Sequence, residues 1–577
     1  MNSRASFDAA QSGRADTLVS RFLDRASRDP ERVAYTSYPM GALNALGTLR
    51  WGEWAARARA VSGSLLALHL ERGARVALYA DNRELWPVAL MGVAMTGAVA
   101  VPISPDATHA ELMAQLRDSE PAVVVVDTIA RLKILRQAQA ETRQTFTMVC
   151  DDLEPLRAST AEGLSEWDSW LKAGALALQD YEPLRHELAK RVEATTPQDI
   201  FTILYKPGTQ TGVMYSHDAV LAMAAALTRD LGFAYSERVA IAQSFSHGFE
   251  CAVGIFATIY AGTSVALVER ADDTLRAARL HESTIVCGSE AVLHELNHHL
   301  SRARMQHENL REAASLQAGT QCHMVVLESD GLATDTERDL HNAGIALTTV
   351  YGVAEQRFIC RNGPQHWRDD SIGEPFSETE LRIDQHGQLQ VRRGPMSSAG
   401  YFRREHEFQQ QLTPDGGWLC TGDCVERVHG AMRLVGTVAD LIMLPGGAAI
   451  STRDIESALC ALPHVAHAIC LGAPDKPLVA VLSLRRKEVE AWARSLGIVA
   501  PWAALVEHPL VYEQLARGIA DINQRRDPHE RVSAFAPTEL EFSVHTGELD
   551  DAGQLNRAVL LSRFEHVFAD LHHRLRY

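Results

Sequence analysis

The sequence predicts an α/β protein of more than one domain, and three observations carry that reading. Short apolar, β-branched runs alternate with stretches of helical spacing through most of the chain. After residue 370 the texture changes to strict apolar–polar alternation, and from Asp440 onward it changes again. At 577 residues, 46% of them hydrophobic, the chain can bury more than one core.

The runs Arg75-Val-Ala-Leu-Tyr, Ala122-Val-Val-Val-Val-Asp, Val239-Ala-Ile-Ala, Ser264-Val-Ala-Leu-Val-Glu and His323-Met-Val-Val-Leu have the length and composition of strands buried on both faces. Such strands belong to parallel sheets covered by helices. Between them, Ala107 to Asp118 and Ala291 to Ala314 carry helical spacing and charge. Val88 to Ile103 is the longest apolar stretch, broken by glycine and ending in Val101-Pro102-Ile103. It is short of the about 20 residues a bilayer span needs and reads as a buried helix turning into a strand. Beyond residue 370, Glu380-Leu-Arg-Ile-Asp, Gln388-Leu-Gln-Val-Arg and Met432-Arg-Leu-Val-Gly alternate between turns containing Asp-Gly, His-Gly and Gly-Gly. They predict smaller antiparallel sheets. The residues from Asp440 on read as a separate small α+β unit.

Composition narrows the partners. With 73 acidic against 56 basic residues the net charge is −17, and no basic stripe offsets it. A nucleic-acid partner is disfavoured. Nine cysteines without a C-x-x-C pair fit reduced thiols in a cytoplasmic protein. The N-terminal residues lack the apolar core of a secretory signal, so at most peripheral membrane contact is expected.

Several blocks then occur in a telling order: Asp81-Asn-Arg-Glu-Leu-Trp-Pro87, Gly97-Ala-Val-Ala-Val-Pro-Ile103, Ser244-Phe-Ser-His-Gly-Phe-Glu250, Tyr260-Ala-Gly-Thr-Ser-Val, Tyr351-Gly-Val-Ala-Glu355, Gly417-Trp-Leu-Cys-Thr-Gly-Asp423, Gly446-Gly-Ala-Ala-Ile-Ser451 and Thr546-Gly-Glu-Leu-Asp-Asp-Ala-Gly-Gln-Leu-Asn-Arg557. Together they resemble the adenylate-forming, AMP-binding superfamily, and within it the long-chain fatty acyl-CoA synthetases. The fold this implies is a large N-terminal domain, residues 1–438, of layered α/β subdomains plus a β-barrel. A small mobile α+β lid, residues 439–577, would follow, pivoting at Ala439.

The resemblance also implies a chemistry. A carboxylate attacks the α-phosphate of ATP to give acyl-AMP, and coenzyme A then displaces AMP. Two anions must meet, so cations and backbone dipoles dominate the first step. The phosphate loop, roughly Y-T-S-G-T-T-G-x-P-K-G-V-M in relatives, reads Tyr205-Lys-Pro-Gly-Thr-Gln-Thr-Gly212-Val-Met here. It is about three residues shorter and lacks the usual lysine. The resemblance places Tyr205, Lys206, Gly208, Thr209, Thr211 and Gly212 around the phosphates. Tyr351 and Gly352 would hold adenine, Glu355 would hold Mg²⁺, and Asp423 would accept from the ribose hydroxyls. Gly446 and Gly447 would present the lid to coenzyme A, and His247 would line the acyl and thiol channel. Tyr351 and His247 also admit plainer readings as packed core residues. Thr437 stands where relatives carry an arginine, and Gln554 where they carry the lid lysine that bridges carboxylate and α-phosphate. Glutamine donates a hydrogen bond but brings no charge.

One unit charge about 4 Å from a phosphate is worth roughly 4 kcal/mol at an effective dielectric near 20, or roughly a thousandfold in rate. The leading expectation is therefore a homologue of ATP-dependent long-chain fatty acid–CoA ligases with lost adenylation cations. It would be weakly active or inactive and would bind an acyl group, a nucleotide, acyl-CoA or an acyl carrier protein. Two alternatives stay open: an active acyl-activating enzyme in which Lys206 compensates, and an enzyme of the thioester-forming half-reaction alone.

Overall fold

The computed structural model describes residues 15–38, 47–153, 163–241, 243–329, 334–365, 367–428, 430–438, 441–443, 449–473, 476–543, 546–549 and 555–575. Gln554, Gly446, Gly447 and the expected pivot Ala439 lie outside them. The chain divides into two units: residues 1–381, 391–419 and 429–432 form the first, and residues 382–390, 420–428 and 433–577 the second.

In the first unit the apolar runs become the middles of two large sheets. The eight-stranded sheet runs Gly400–Tyr401, Gly212–Ser216, Ile200–Tyr205, Val99–Ile103, Arg75–Tyr79, Val123–Val126, Thr147–Cys150, Leu164–Glu166. Its inner strands are parallel, and Gly212–Ser216 returns antiparallel to Ile200–Tyr205 as a hairpin. The nine-stranded sheet is parallel from Val33–Tyr38 through Ala346–Val353 and closes on antiparallel edges. Side-chain alternation sends each sheet two ways. Val76 and Leu78 join a core shared with Val239 and Ile241 of the other sheet, while Ala77 and Tyr79 pack under Leu112, Leu116, Leu132 and Leu135. Ala240 faces away with Val286 toward Leu293 and Leu296. The helix Leu85–Met95 is buried along its whole length and leads into the strand Val99–Ile103, as the apolar stretch predicts. The stretch Ala291 to Ala314 is helical as expected, divided into two helices, Glu290–Met305 and Leu310–Ala318. His307 takes a left-handed φ of 57° between them, and Asn309 caps the second through the Arg311 and Glu312 amides.

The second unit holds a three-stranded sheet, Val465–Ala473, Lys476–Leu484 and Val532–Thr538. One face packs Ala468, Cys470, Leu478 and Leu482 on helices Thr452–Cys460 and Pro509–Asn523. The other packs Ile469, Val479 and Val481 on Leu560, Phe564, Phe568 and Leu571 near the C-terminus. This is the α+β texture expected there. Where the resemblance implies a β-barrel, the described residues form a four-stranded sheet, Leu381–Ile383, Gln388–Arg392, Trp418–Val428, Ala431–Thr437, with residues assigned to both units. All nine cysteines are free and all but Cys420 and Cys460 are buried. No helix among the described residues is long and apolar enough to cross a membrane.

Candidate functional site

The hairpin between Ile200–Tyr205 and Gly212–Ser216 sets the geometry of the site in the first unit. Proline at 207 fixes its own φ and biases Lys206 toward an extended backbone. The turn then closes on itself: the Lys206 amide donates to the Thr211 carbonyl at 3.0 Å and the Thr209 amide to the Lys206 carbonyl at 3.1 Å. Thr209 Oγ1 accepts from the Thr211 amide at 3.1 Å. Gly208, at φ 67°, turns its amide to Glu111 Oε1 at 3.3 Å, so a carboxylate sits on it. Glu111 is held there because its other oxygen accepts from the Thr108 amide at 2.9 Å, a capping box at the start of His109–Ser119.

Behind the turn, Lys206 does not run into solvent. Its Nζ lies 2.5 Å from Oε1 of Glu355, whose side chain is only 6% exposed. The Tyr401 hydroxyl donates to the same Oε1 and accepts from Lys206 Nζ at 3.2 Å. The ammonium also stands 5.2 Å from the centre of the Tyr401 ring. Burial, and then the Glu355 carboxylate, drive the Tyr401 phenol far above its ordinary pKa. Tyr205 follows the same logic: it is half-buried, it donates to Asp118 Oδ2 at 2.7 Å, and its phenol too is held protonated. Arg404 balances Asp118 at 3.0 Å.

Glu355 arrives here on the reverse turn between Ala346–Val353 and Gln356–Asn362. Gly352 has to be glycine, because a Cβ there would lie 1.9 Å from the Arg357 carbonyl oxygen. The Tyr215 hydroxyl donates to the Ala354 carbonyl and the Ser398 amide to the Glu355 carbonyl at 2.8 Å, fixing the turn from both sides. Tyr351 is a buried side chain, 2% exposed, beside this turn. His247 is exposed, and the surrounding protein mass lowers its pKa, aided by Arg357 and opposed by Asp106. Nearby, Glu250 is buried and its carboxyl is pushed up to about 8, first by burial and then by Glu328. The blocks Asp81–Pro87 and Ser244–Glu250 meet through the buried side chain of Asn82. It donates to the Gln243 carbonyl at 2.7 Å and accepts from the Phe245 amide at 2.9 Å.

The structure thus brings together Tyr205, Lys206, Gly208, Thr209, Thr211, Gly212 and Glu355. Asp423 and Thr437 belong to the second unit, in the strands Trp418–Val428 and Ala431–Thr437. Thr421 shapes the turn before Asp423, accepting from the Asp423 amide at 3.1 Å and donating to the Leu389 carbonyl at 2.8 Å. Of the C-terminal signature, Arg557 is described: Nη1 pairs with both oxygens of Glu456 at 2.7 and 2.9 Å and Nη2 donates to the Cys470 carbonyl. That residue anchors the segment to the core of its unit. Sequence reasoning missed Tyr401 and Glu111, which lie far from Lys206 in the chain and sit in no quoted block. A cavity of about 480 Å³ opens beside Tyr401, lined also by Met214, Arg393, Arg403 and Phe408. A larger one, about 610 Å³, lies between the helices Glu290–Met305 and Leu310–Ala318, among side chains that belong to none of the blocks.

Comparison with known proteins bears on the family and the fold. A methyl-dioxo-octahydro-inden-4-yl propanoyl–CoA ligase of Mycobacterium tuberculosis is 27% identical over 430 residues, 72% of this chain and 79% of the relative. A long-chain-fatty-acid–CoA ligase of Mycobacterium bovis is 22% identical over 96% of both chains. Among solved structures, ATP-bound MatB of Rhodopseudomonas palustris superposes with a TM-score of 0.66 at 19% identity, covering 96% of this chain and 99% of that one. An anthranilate CoA ligase in complex with anthranoyl-AMP gives the same TM-score and coverage at 17% identity. At such identities the structural likeness is one of fold. The profile of the AMP-binding enzyme family, however, matches residues 22–402, a span that takes in both large sheets, Lys206, Glu355 and Tyr401, and the chain belongs to that family.

Proposed function

We propose that this protein is an acyl- and nucleotide-binding member of the AMP-binding enzymes in which adenylation is strongly reduced. In this reading Tyr351 and Gly352 border adenine, Asp423 meets the ribose, and the residues from 439 onward form the lid. His247 lines the acyl side. The ligand is a fatty acyl or other carboxylic acid, the class named for the relatives. The observation that carries the reading is the turn at Lys206–Thr211. The Lys206, Thr209 and Thr211 amides are engaged within the turn, and that of Gly208 by the carboxylate of Glu111. A loop that cradles phosphates instead presents free amides to the anion. The substitutions at Thr437 and Gln554 remove charge in the same direction.

A second reading, an active ligase compensated by Lys206, is favoured by the position of that ammonium at Glu355 rather than in solvent. Pyrophosphate release from Mg-ATP, across fatty and aromatic acids with and without coenzyme A, separates the two. The expected result is turnover at least about a hundredfold below the about 1 s⁻¹ that marks ordinary enzymes. ATP or acyl-CoA should still raise the melting temperature, and Gln554→Lys should increase release. Turnover near 1 s⁻¹ or faster, lost in Glu355→Ala, would establish the ligase instead.

A further inference from the structure

Glu355 is the residue to which the family resemblance assigns a divalent cation, so its surroundings test whether such an ion fits. A magnesium ion needs open carboxylate lone pairs at about 2.0–2.1 Å and keeps much of its water shell. Here Oε1 is faced by the Lys206 ammonium at 2.5 Å and by the Tyr401 hydroxyl, and the side chain is 6% exposed. Two cations on one oxygen repel, and in a half-buried site that repulsion is little screened. Among the described residues, no group of three or more His, Cys, Asp or Glu gathers to hold a metal. As arranged, Oε1 of this carboxylate is taken by the ammonium and the hydroxyl and does not fit a magnesium ion.

The lysine is built into that place. It directly follows Tyr205 at the end of a central sheet's hairpin strand, where Pro207 and the Thr209 and Thr211 hydrogen bonds hold its backbone. The hydroxyl of Tyr401 and the ring below it steer the ammonium to Glu355. We propose that Lys206 is a tethered cation standing in for the metal at Glu355, so that adenine nucleotide binds without a divalent ion. This inference rests on the nucleotide-binding reading above.

Calorimetric titration of the full chain with ATP, in excess EDTA and in excess magnesium, tests it. Wild-type dissociation constants in the two buffers should agree within about threefold. Lys206→Met, of similar shape and no charge, should bind at least about tenfold more tightly with magnesium than with EDTA. Lys206→Arg keeps the charge and should stay metal-independent, which separates a lost charge from a damaged fold. ATP binding by wild type that requires magnesium overturns the inference and leaves the nucleotide reading standing. So does Lys206→Met that binds equally in both buffers. ATP that binds none of the three proteins in either buffer overturns the nucleotide reading itself, and the inference with it.

Discussion

The buried carboxyl of Glu250 makes the stability of the large unit depend on pH in a definite direction. Its ordinary value of 4.5 is raised to about 8, chiefly by burial, with Glu328 adding to the shift and Arg357 opposing it. Between those values the folded protein keeps a proton that the unfolded chain has released. The unfolded state therefore binds fewer protons, and stability falls as pH rises through this window. At about 1.4 kcal/mol per pH unit, the loss by pH 8 is about 5 kcal/mol, an upper figure that relaxation and water entry reduce. Glu250→Gln keeps the shape and hydrogen-bonding capacity but cannot ionise. Denaturant unfolding followed by fluorescence of the buried Trp51, Trp54, Trp86 and Trp167 reports the unit directly. Subtracting the two proteins cancels the other titrating groups, among them Asp151, raised to about 6, and His217 and His281, lowered to about 4. The variant should gain on wild type by several kcal/mol between about pH 5 and about pH 8. Parallel curves across that range would refute the reasoning.

Three further outcomes are expected. Asn82→Ala takes the partner from the half-buried Gln243 carbonyl and the buried Phe245 amide; urea unfolding should show a loss of about 2–4 kcal/mol. Gly352→Ala drives a methyl into the Arg357 carbonyl, so its melting temperature should drop by at least the equivalent of about 3 kcal/mol. Glu111→Gln keeps a capping-box partner for Thr108 but removes the charge facing Gly208; stability should change by less than about 1 kcal/mol while ATP affinity, by calorimetry, rises about three- to tenfold.

The fold was legible because its strands are buried on both faces. Arg75–Tyr79 and Gln388–Arg392 end where their runs end, and Ser264–Val268 stops one residue short of its run. The helical spacing of Ala291–Ala314 is borne out, divided between two helices for a local reason. The left-handed backbone at His307 and the extended N-cap Asn309 break the helix there, and no glycine announces the break. The barrel came from resemblance alone, and four strands of alternating texture say nothing about closure. In the candidate site, Lys206 and Glu355 stood out by motif, but their ion pair did not, since they are joined through sheet edges rather than spacing. Tyr401 and Glu111 carry no local signature. A tyrosine 46 residues past Glu355 becomes a partner only when Gly400–Tyr401 pairs beside Gly212–Ser216.

The carboxylates around the turn share one property: each already has partners within the protein. Glu355 has Lys206 and Tyr401, Asp118 has Arg404 and Tyr205, and Glu111 has the Thr108 and Gly208 amides. A site that joins two anions works through cations and donors left open for the transition state. Here the donors face inward, so an incoming phosphate has to displace an existing partner before it gains one. The three clusters are not equal in this respect. The Lys206–Glu355 contact is half-buried and charge-assisted, and removing either partner strands the other charge. The Asp118 cluster engages both carboxylate oxygens through two further residues. The Gly208–Glu111 hydrogen bond, at 3.3 Å in an exposed turn, is the longest and the most screened of the set. It is therefore the contact that an incoming anion would displace at the lowest cost, ahead of any rearrangement at Glu355.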